Sequence, residues 1–265
     1  MPELTVTRPD EMPGVLRLTF NDPATLNSLT TDVLRAVVRS LREARYDDTV
    51  QAVLFTGEGE RAFSSGISLD ALGKLETDED RALFYTLGLE LRESVYALEK
   101  PVIAAVRGAC AGGGFEIALC CDLIYAQEGS KFVLPEVNIA LTPGMGGAIT
   151  LAAKLPMNRA MEMIWFGERV TAEELHRWGL VNAVFPPETF WDETARRVNK
   201  LLAKPQFAVR ALKRVLSHTA VSGDQSESLR HERMLAVDEM RTTDFREGVA
   251  AFREKRTPEF NRKPE

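Results

Sequence analysis

Histidine and cysteine are scarce here, three of each in 265 residues, and the scarcity narrows the chemistry. His176, His218 and His231 each fall in a polar, helix-patterned stretch without a local partner. They read as solvated, and none supplies a base for a serine nucleophile. The hydroxyl-rich FSSGIS stretch also lacks the GxSxG signature of a nucleophile elbow. Cys110, Cys120 and Cys121 have no CxxC or histidine companion, so reduced, buried thiols are expected and no metal site. The run GGGFE lacks the GK[ST] ending of a phosphate loop and does not fit GxGxxG. No stretch approaches the roughly 18 apolar residues of a membrane span, and MPELTVTRPDEMPG has no basic region leading into an apolar run. A cytoplasmic location with no membrane partner is the expectation. A net charge of −6 argues against nucleic acid as a partner while leaving small anionic ligands open.

What is present suits a folded α/β protein. With 45% hydrophobic and 27% charged residues, the chain can bury one large core, with or without an appendage. The pattern predicts a strand over 15–20, a helix over 30–44 and a strand over 50–56. A helix from about 80 to 99 and buried strands over 102–106 and 123–126 follow. Beyond Pro143 the signals turn helical, with an N-cap at Thr171, and after the Pro186-Pro187 pair strand signals nearly vanish. Two regions are expected, 1–189 carrying the α/β core and any active site, and a helical region over 190–265.

The chemistry concentrates around Gly112, Gly113 and Gly114, between a buried strand and a short helix near 115–119. Bare backbone at a helix start lets a ligand carbonyl approach N–H groups, although a glycine triplet also serves a plain tight turn. Glu116 could be no more than a first-turn acid stabilised by the helix dipole, and Glu136 a surface acid after a proline bend. Yet Glu116 precedes Ile117, Ala118 and Leu119, and Glu136 sits among Phe132, Val133, Leu134, Val137 and Ile139. Buried carboxylates hold their protons more tightly, and a close pair can share one at neutral pH. An anion site of backbone N–H groups beside such a pair points to carbonyl activation with proton transfer.

Several segments, in order, carry a resemblance. They are NDPATLNSL at 21–29, AFSSGISL at 62–69, KPVIAAVRGACAGGGFEIALCCDLIYA at 100–126, FVLPEVNIALTPGMGG ending at 147, GERVTAEELHRWGLVNAV ending at 184, and AFREKR at 251–256. Together they resemble the enoyl-CoA hydratase/isomerase, or crotonase, superfamily. The resemblance implies an α/β fold, the crotonase-like (ClpP/crotonase) spiral of ββα units, with a helical C-terminal region that trimerises, often into a dimer of trimers. It implies an acyl-CoA substrate, of which coenzyme A is a part, and no separate cofactor. It places an oxyanion hole at the N–H groups of Ile67 and Gly113, acid–base chemistry at Glu116 and Glu136, and a water-holding N–H at Gly144. Coenzyme A would be met by Leu26, Ser65, Ile67, Ser68 and Leu69, and by Phe252 and Lys255 of a neighbouring subunit. Hydratases of the family keep both glutamates and isomerases usually only the second, so hydration of an enoyl-CoA is the expected activity. Isomerisation, an unusual acyl-CoA, and a non-catalytic acyl-CoA-binding scaffold are the alternatives. Three departures stand out: Ser68 where aspartate is common, Ala24 where a basic residue is frequent, and Ile67 where a small residue is usual. The loop from Gly73 to Asp80 is expected to be mobile and to shape the acyl pocket.

Overall fold

The computed structural model describes residues 3–222 and 225–261, without the side chains of 218–222, 225–228 and 231. The chain begins with β1 (Glu3–Thr7), antiparallel to β2 (Val15–Asn21). Four parallel strands continue the sheet: β3 (Ala52–Gly57), β5 (Val102–Val106), β7 (Leu123–Gln127) and β10 (Ala183–Phe185). Every residue of β3 and β5 is buried, as expected of central strands covered on both faces. A second sheet is built from β4 (Ala62–Ser64), β6 (Ala109–Ala111), β8 (Lys131–Val133) and the antiparallel β9 (Val170–Thr171).

Each turn of the chain leaves one strand in the first sheet, one short strand in the second, and then a helix. β3 and β4 lead to α2 (Leu69–Gly73) and α3 (Asp78–Ala97), β5 and β6 to α4 (Gly113–Cys120), and β7 and β8 to a 3-10 turn and α5 (Gly147–Lys154). This repetition is the ββα spiral. Because β4, β6 and β8 are parallel neighbours, the loops leaving their ends emerge side by side. The short strands carry no strand signal in the sequence, since two or three residues give too little alternation to register a period of two.

The helices are set by caps and apolar stripes. Before β3 lies α1 (Thr31–Tyr46), whose first turn is capped by Thr30 accepting from the Val33 N–H and which buries Leu34, Val37 and Leu41. Thr77 and Asp80 form a reciprocal capping box at the start of α3. The segment expected as a mobile loop from Gly73 to Asp80 is therefore mostly helix terminus. α4 is fastened at its far end by Lys154, whose Nζ donates to the carbonyls of Leu119 (2.7 Å) and Cys121 (2.9 Å). After α6 (Met157–Phe166) and α7 (Ala172–Arg177), four helices complete the chain: α8 (Phe190–Leu202), α9 (Gln206–Ser222), α10 (Gln225–Glu239) and α11 (Thr243–Glu254). Phe190, Val198 and Leu202 of α8 pack on the first sheet with Leu54, Ile103 and Phe185. Lys213 of α9 pairs with Asp122 at 2.8 Å and donates to the Lys100 carbonyl.

Asn27 ties the first loop to the second repeat. It is 1% exposed at a positive φ of 57°, where asparagine is tolerated better than most residues. Its Nδ2 donates to the carbonyls of Ala62 (2.7 Å) and Glu58 (3.0 Å), and its Oδ1 accepts from the Asp22 N–H (2.9 Å). Asn27→Ala strands all three groups and should cost about 3 kcal/mol of stability. Urea denaturation followed by circular dichroism measures this, and a loss under about 1 kcal/mol would contradict it.

Candidate active site

The loop after β4 is held from both sides. The Ser65 N–H donates to the Leu26 carbonyl (2.8 Å), Leu29 N–H to the Gly66 carbonyl (2.8 Å), and Ser68 N–H to the Leu29 carbonyl (3.0 Å). Ser64 Oγ accepts from the Gly66 N–H (3.1 Å) and donates to the Asn27 carbonyl (2.8 Å). The Ile67 N–H is left over: among the described residues it meets no acceptor. One repeat later, Gly112 donates to the Val133 carbonyl and turns at a φ of 50° into α4. Gly113 then opens the helix with an N–H that, among the described residues, also lacks an acceptor. The two loops touch, for a Cβ on Gly66 would lie 2.7 Å from the Ala111 carbonyl oxygen and 3.1 Å from the Gly113 nitrogen. Glycine is required there both by this approach and by a φ of +90°. Two free donors thus stand together at the mouth of the α4 dipole.

Glu116 lies one helical turn further along α4 and is 3% exposed. Its Oε1 accepts from the N–H groups of Met145 (2.8 Å) and Gly147 (2.9 Å), and the Gly144 N–H also faces the carboxylate. Burial raises its proton affinity above the usual carboxylate range, and the three N–H groups pull it back down. A Cβ on Gly147 would sit 2.8 Å from Oε1, so only glycine lets the backbone close on the acid.

Glu136 starts a 3-10 turn (Glu136–Ile139) after β8. It is half-buried, and its Oε2 is sealed from solvent with no hydrogen-bond partner among the described residues. Burial first, and repulsion from Glu116 in addition, push its pKa up to about 7. The apolar setting differs from the expected one. Phe132, Val133 and Leu134 are buried, but Val137 and Ile139 are 43% and 51% exposed, because the tight turn after Glu136 swings them outward. The result is two carboxylates of unequal proton affinity beside two unpartnered N–H donors.

The remaining expected site residues divide into two groups. Leu26, Ser65, Ile67, Ser68 and Leu69 lie together: Leu26 is a left-handed cap, Ser65 Oγ donates to the Thr25 carbonyl, Ser68 immediately precedes α2 without a side-chain capping bond, and Leu69 is exposed. Phe252, 87% exposed, and Lys255, the left-handed cap of α11, stand apart, and among the described residues no hydrogen bond or ion pair joins them to that loop. His176 is exposed, and its Nδ1 lies 2.7 Å from the Val181 carbonyl oxygen, which fastens the end of α7. The side chains of His218 and His231 lie outside the described residues. All three cysteines are buried, and burial lifts Cys120 to about 12 and Cys110 and Cys121 well above their ordinary value. Among the described residues no group of three His, Cys, Asp or Glu side chains could hold a metal ion. Met145 and Gly147, whose N–H groups hold Glu116, carry no ionisable side chain that would single them out in the sequence. The signal lay in the TPGMGG run, where close glycines mark backbone that must approach something.

The enoyl-CoA hydratase/isomerase family model matches residues 10–263. A crotonyl-CoA hydratase of Syntrophomonas wolfei is 33% identical over 92% of this chain and 93% of its own length. A 2,3-dehydroadipyl-CoA hydratase of Escherichia coli is 33% identical over 98% of this chain and 99% of its own. Among solved structures, an enoyl-CoA hydratase from Bacillus anthracis superposes with a TM-score of 0.91 at 30% identity, covering 97% of this chain and 98% of that one.

The unequal proton affinities give a stability test independent of activity. Between the ordinary glutamate value near 4.5 in the unfolded chain and about 7 in the fold, the native state binds more protons at Glu136. Stability therefore falls as pH rises through that window. Glu136→Gln carries no charge to bury, so its stability relative to wild type should rise between about pH 5 and about pH 8. Urea midpoints of both proteins at the two pH values check this. An unchanging difference would mean that Glu136 titrates as an ordinary surface acid.

Proposed function

The chain belongs to the enoyl-CoA hydratase/isomerase family, and we propose that within it the protein adds water reversibly across the 2,3 double bond of an enoyl-CoA thioester. The observation that carries this reading is the presence of both carboxylates, Glu116 and Glu136, beside the free N–H groups of Ile67 and Gly113. The names of the two curated relatives, both hydratases, point the same way.

In this reading the thioester oxygen accepts from the Ile67 and Gly113 N–H groups, where negative charge grows as the enolate forms. Donors fixed before the reaction and shielded from water contribute on the order of 3 kcal/mol each. One water lies between the glutamates. Glu116 takes a proton from it as its oxygen bonds to the β-carbon, while Glu136 gives its proton to the α-carbon. The proton on Glu116 then returns to Glu136, so the net change is one water added. The assignment follows the electrostatics: the N–H groups on Glu116 favour its ionised form, whereas Glu136 near 7 still holds its proton in half of the molecules at neutral pH. As a strongly coupled pair, the two acids share these roles as one unit. The Gly144 N–H, which also faces Glu116, is the expected further donor to that water.

Coenzyme A then lies along Leu26, Ser65, Ile67, Ser68 and Leu69, with Phe252 and Lys255 contributed by a second copy in a trimer or dimer of trimers. The exposed Leu229, Met234 and Val237 on α10, with Met240 just beyond its end, offer apolar surface for such an assembly over 190–265. Ser68 and Ala24, in place of the charged residues the family resemblance leads one to expect, offer the nucleotide no ionic partner and leave both acids and both backbone donors in place. A cytoplasmic setting accords with the composition, and no helix among the described residues is long and apolar enough to cross a membrane.

Glu116→Gln and Glu136→Gln should each lower the hydration of crotonyl-CoA by about 10²–10⁴-fold while butyryl-CoA binding persists. Loss of the conjugated thioester absorbance measures hydration. The wild-type rate should also fall above about pH 7, as Glu136 loses the proton it donates. No loss of crotonyl-CoA, with double-bond migration in a 3-enoyl-CoA, would replace hydration by isomerisation.

A further inference from the structure

Met145 is 4% exposed and reaches across the site from the segment that clamps Glu116. Its side chain is accommodated by two glycines on different helices. A Cβ on Gly88, inside α3, would lie 2.6 Å from Met145 Cγ and 3.1 Å from Sδ. A Cβ on Gly113, at the start of α4, would lie 3.3 Å from Met145 Cε and 3.1 Å from Ile67 Cδ1. Glycine in the middle of a helix is unfavourable, so its use at position 88 marks space kept for this side chain. We propose that Met145 sets the acyl length this protein accepts and that its substrates are short-chain 2-enoyl thioesters.

The direction of the acyl chain follows from the groups around it, and the inference rests on the hydratase reading for where the thioester lies. With the oxygen at the Ile67 and Gly113 N–H groups, the β-carbon falls between Glu116 and Glu136. On one side the Gly66 and Gly112 backbones close together, for a Cβ on Gly66 would lie 3.3 Å from the Gly112 Cα. Carbons beyond the β-carbon therefore run past the 144–147 segment toward α3, where Met145 fills the gap between α3 and α4. Tyr85 covers the same segment from α3, its ring so close that a Cβ on Gly144 would lie 2.1 Å from Cε1. A methionine bends more readily than a branched residue, but its buried volume still has to be displaced by any longer chain.

The test compares kcat/KM for crotonyl-CoA and trans-2-decenoyl-CoA in wild type, Met145→Ala and Met145→Leu. Alanine removes three heavy atoms from the gap yet keeps the N–H that holds Glu116, and leucine nearly preserves the volume. Wild type and Met145→Leu should prefer crotonyl-CoA by at least about tenfold, and Met145→Ala should narrow that ratio by about tenfold or more. Calorimetric affinities for butyryl-CoA and decanoyl-CoA read the same pocket without turnover, and a cooperative thermal transition confirms that each variant is folded. If crotonyl-CoA is hydrated but neither ratio moves in folded Met145→Ala, or if wild type handles decenoyl-CoA as well as crotonyl-CoA, the length assignment is wrong and the hydratase reading stands. If nothing is hydrated while the affinity ratio shifts toward decanoyl-CoA in Met145→Ala, the hydratase reading fails and the assignment survives.

Discussion

A carboxylate almost wholly removed from water must either give up its charge or find donors, and Glu116 finds them in the backbone. The N–H groups of Met145 and Gly147 close on one oxygen, and that of Gly144 faces the same group. These donors fix the position of the acid and its charge together. They come from a segment that can approach so closely only because glycine stands at 147. Glu136 has no such clamp: among the described residues its Oε2 is buried without a partner, and burial with repulsion from Glu116 lifts its pKa to about 7. Backbone donors thus distinguish the two acids, and the proposed division of roles between proton acceptor and proton donor rests on that difference.

That difference depends in turn on the spiral. Three successive repeats each end a short strand of the second sheet beside its neighbour, and each delivers one part of the site: the Ile67 loop after β4, the Gly113 turn after β6, Glu136 after β8. Parallel pairing converts separation along the chain into adjacency in space. Lys154 and the Lys213–Asp122 pair then fasten the far end of α4, so the helix that carries both Gly113 and Glu116 is held at both ends.

Much of this was legible from residue patterns, for reasons that differ from element to element. Continuous apolar runs announced β3 and β5, and Thr171 fixed a helix start through its hydroxyl. The glycines at 112–114 and the neighbours of Glu116 flagged a backbone site beside a buried acid. The second sheet escaped because its strands run two or three residues and are completed only by partners far along the chain. Glu136 was identified for a partly wrong reason. Two of the apolar neighbours taken to bury it, Val137 and Ile139, turn outward, because the segment winds as a 3-10 turn. The clamp on Glu116 was invisible as a clamp, since it is made by main-chain groups whose direction no side-chain pattern reports.

The same dependence on main-chain groups explains how unusual side chains can sit at the site. Ile67 is bulkier than the small residue the family resemblance leads one to expect, yet what the proposed oxyanion pair takes from it is an N–H that any residue other than proline provides. Its side chain instead packs over Gly113, close to the tip of Met145. Met145 likewise holds Glu116 through its N–H and fills the gap toward α3 with its thioether. At both positions the backbone carries the proposed chemistry and the side chain shapes the cavity beside it. Substitution there can alter which acyl group fits without moving the donors, so in the proposed reaction reactivity and substrate size are divided between different atoms of the same residues.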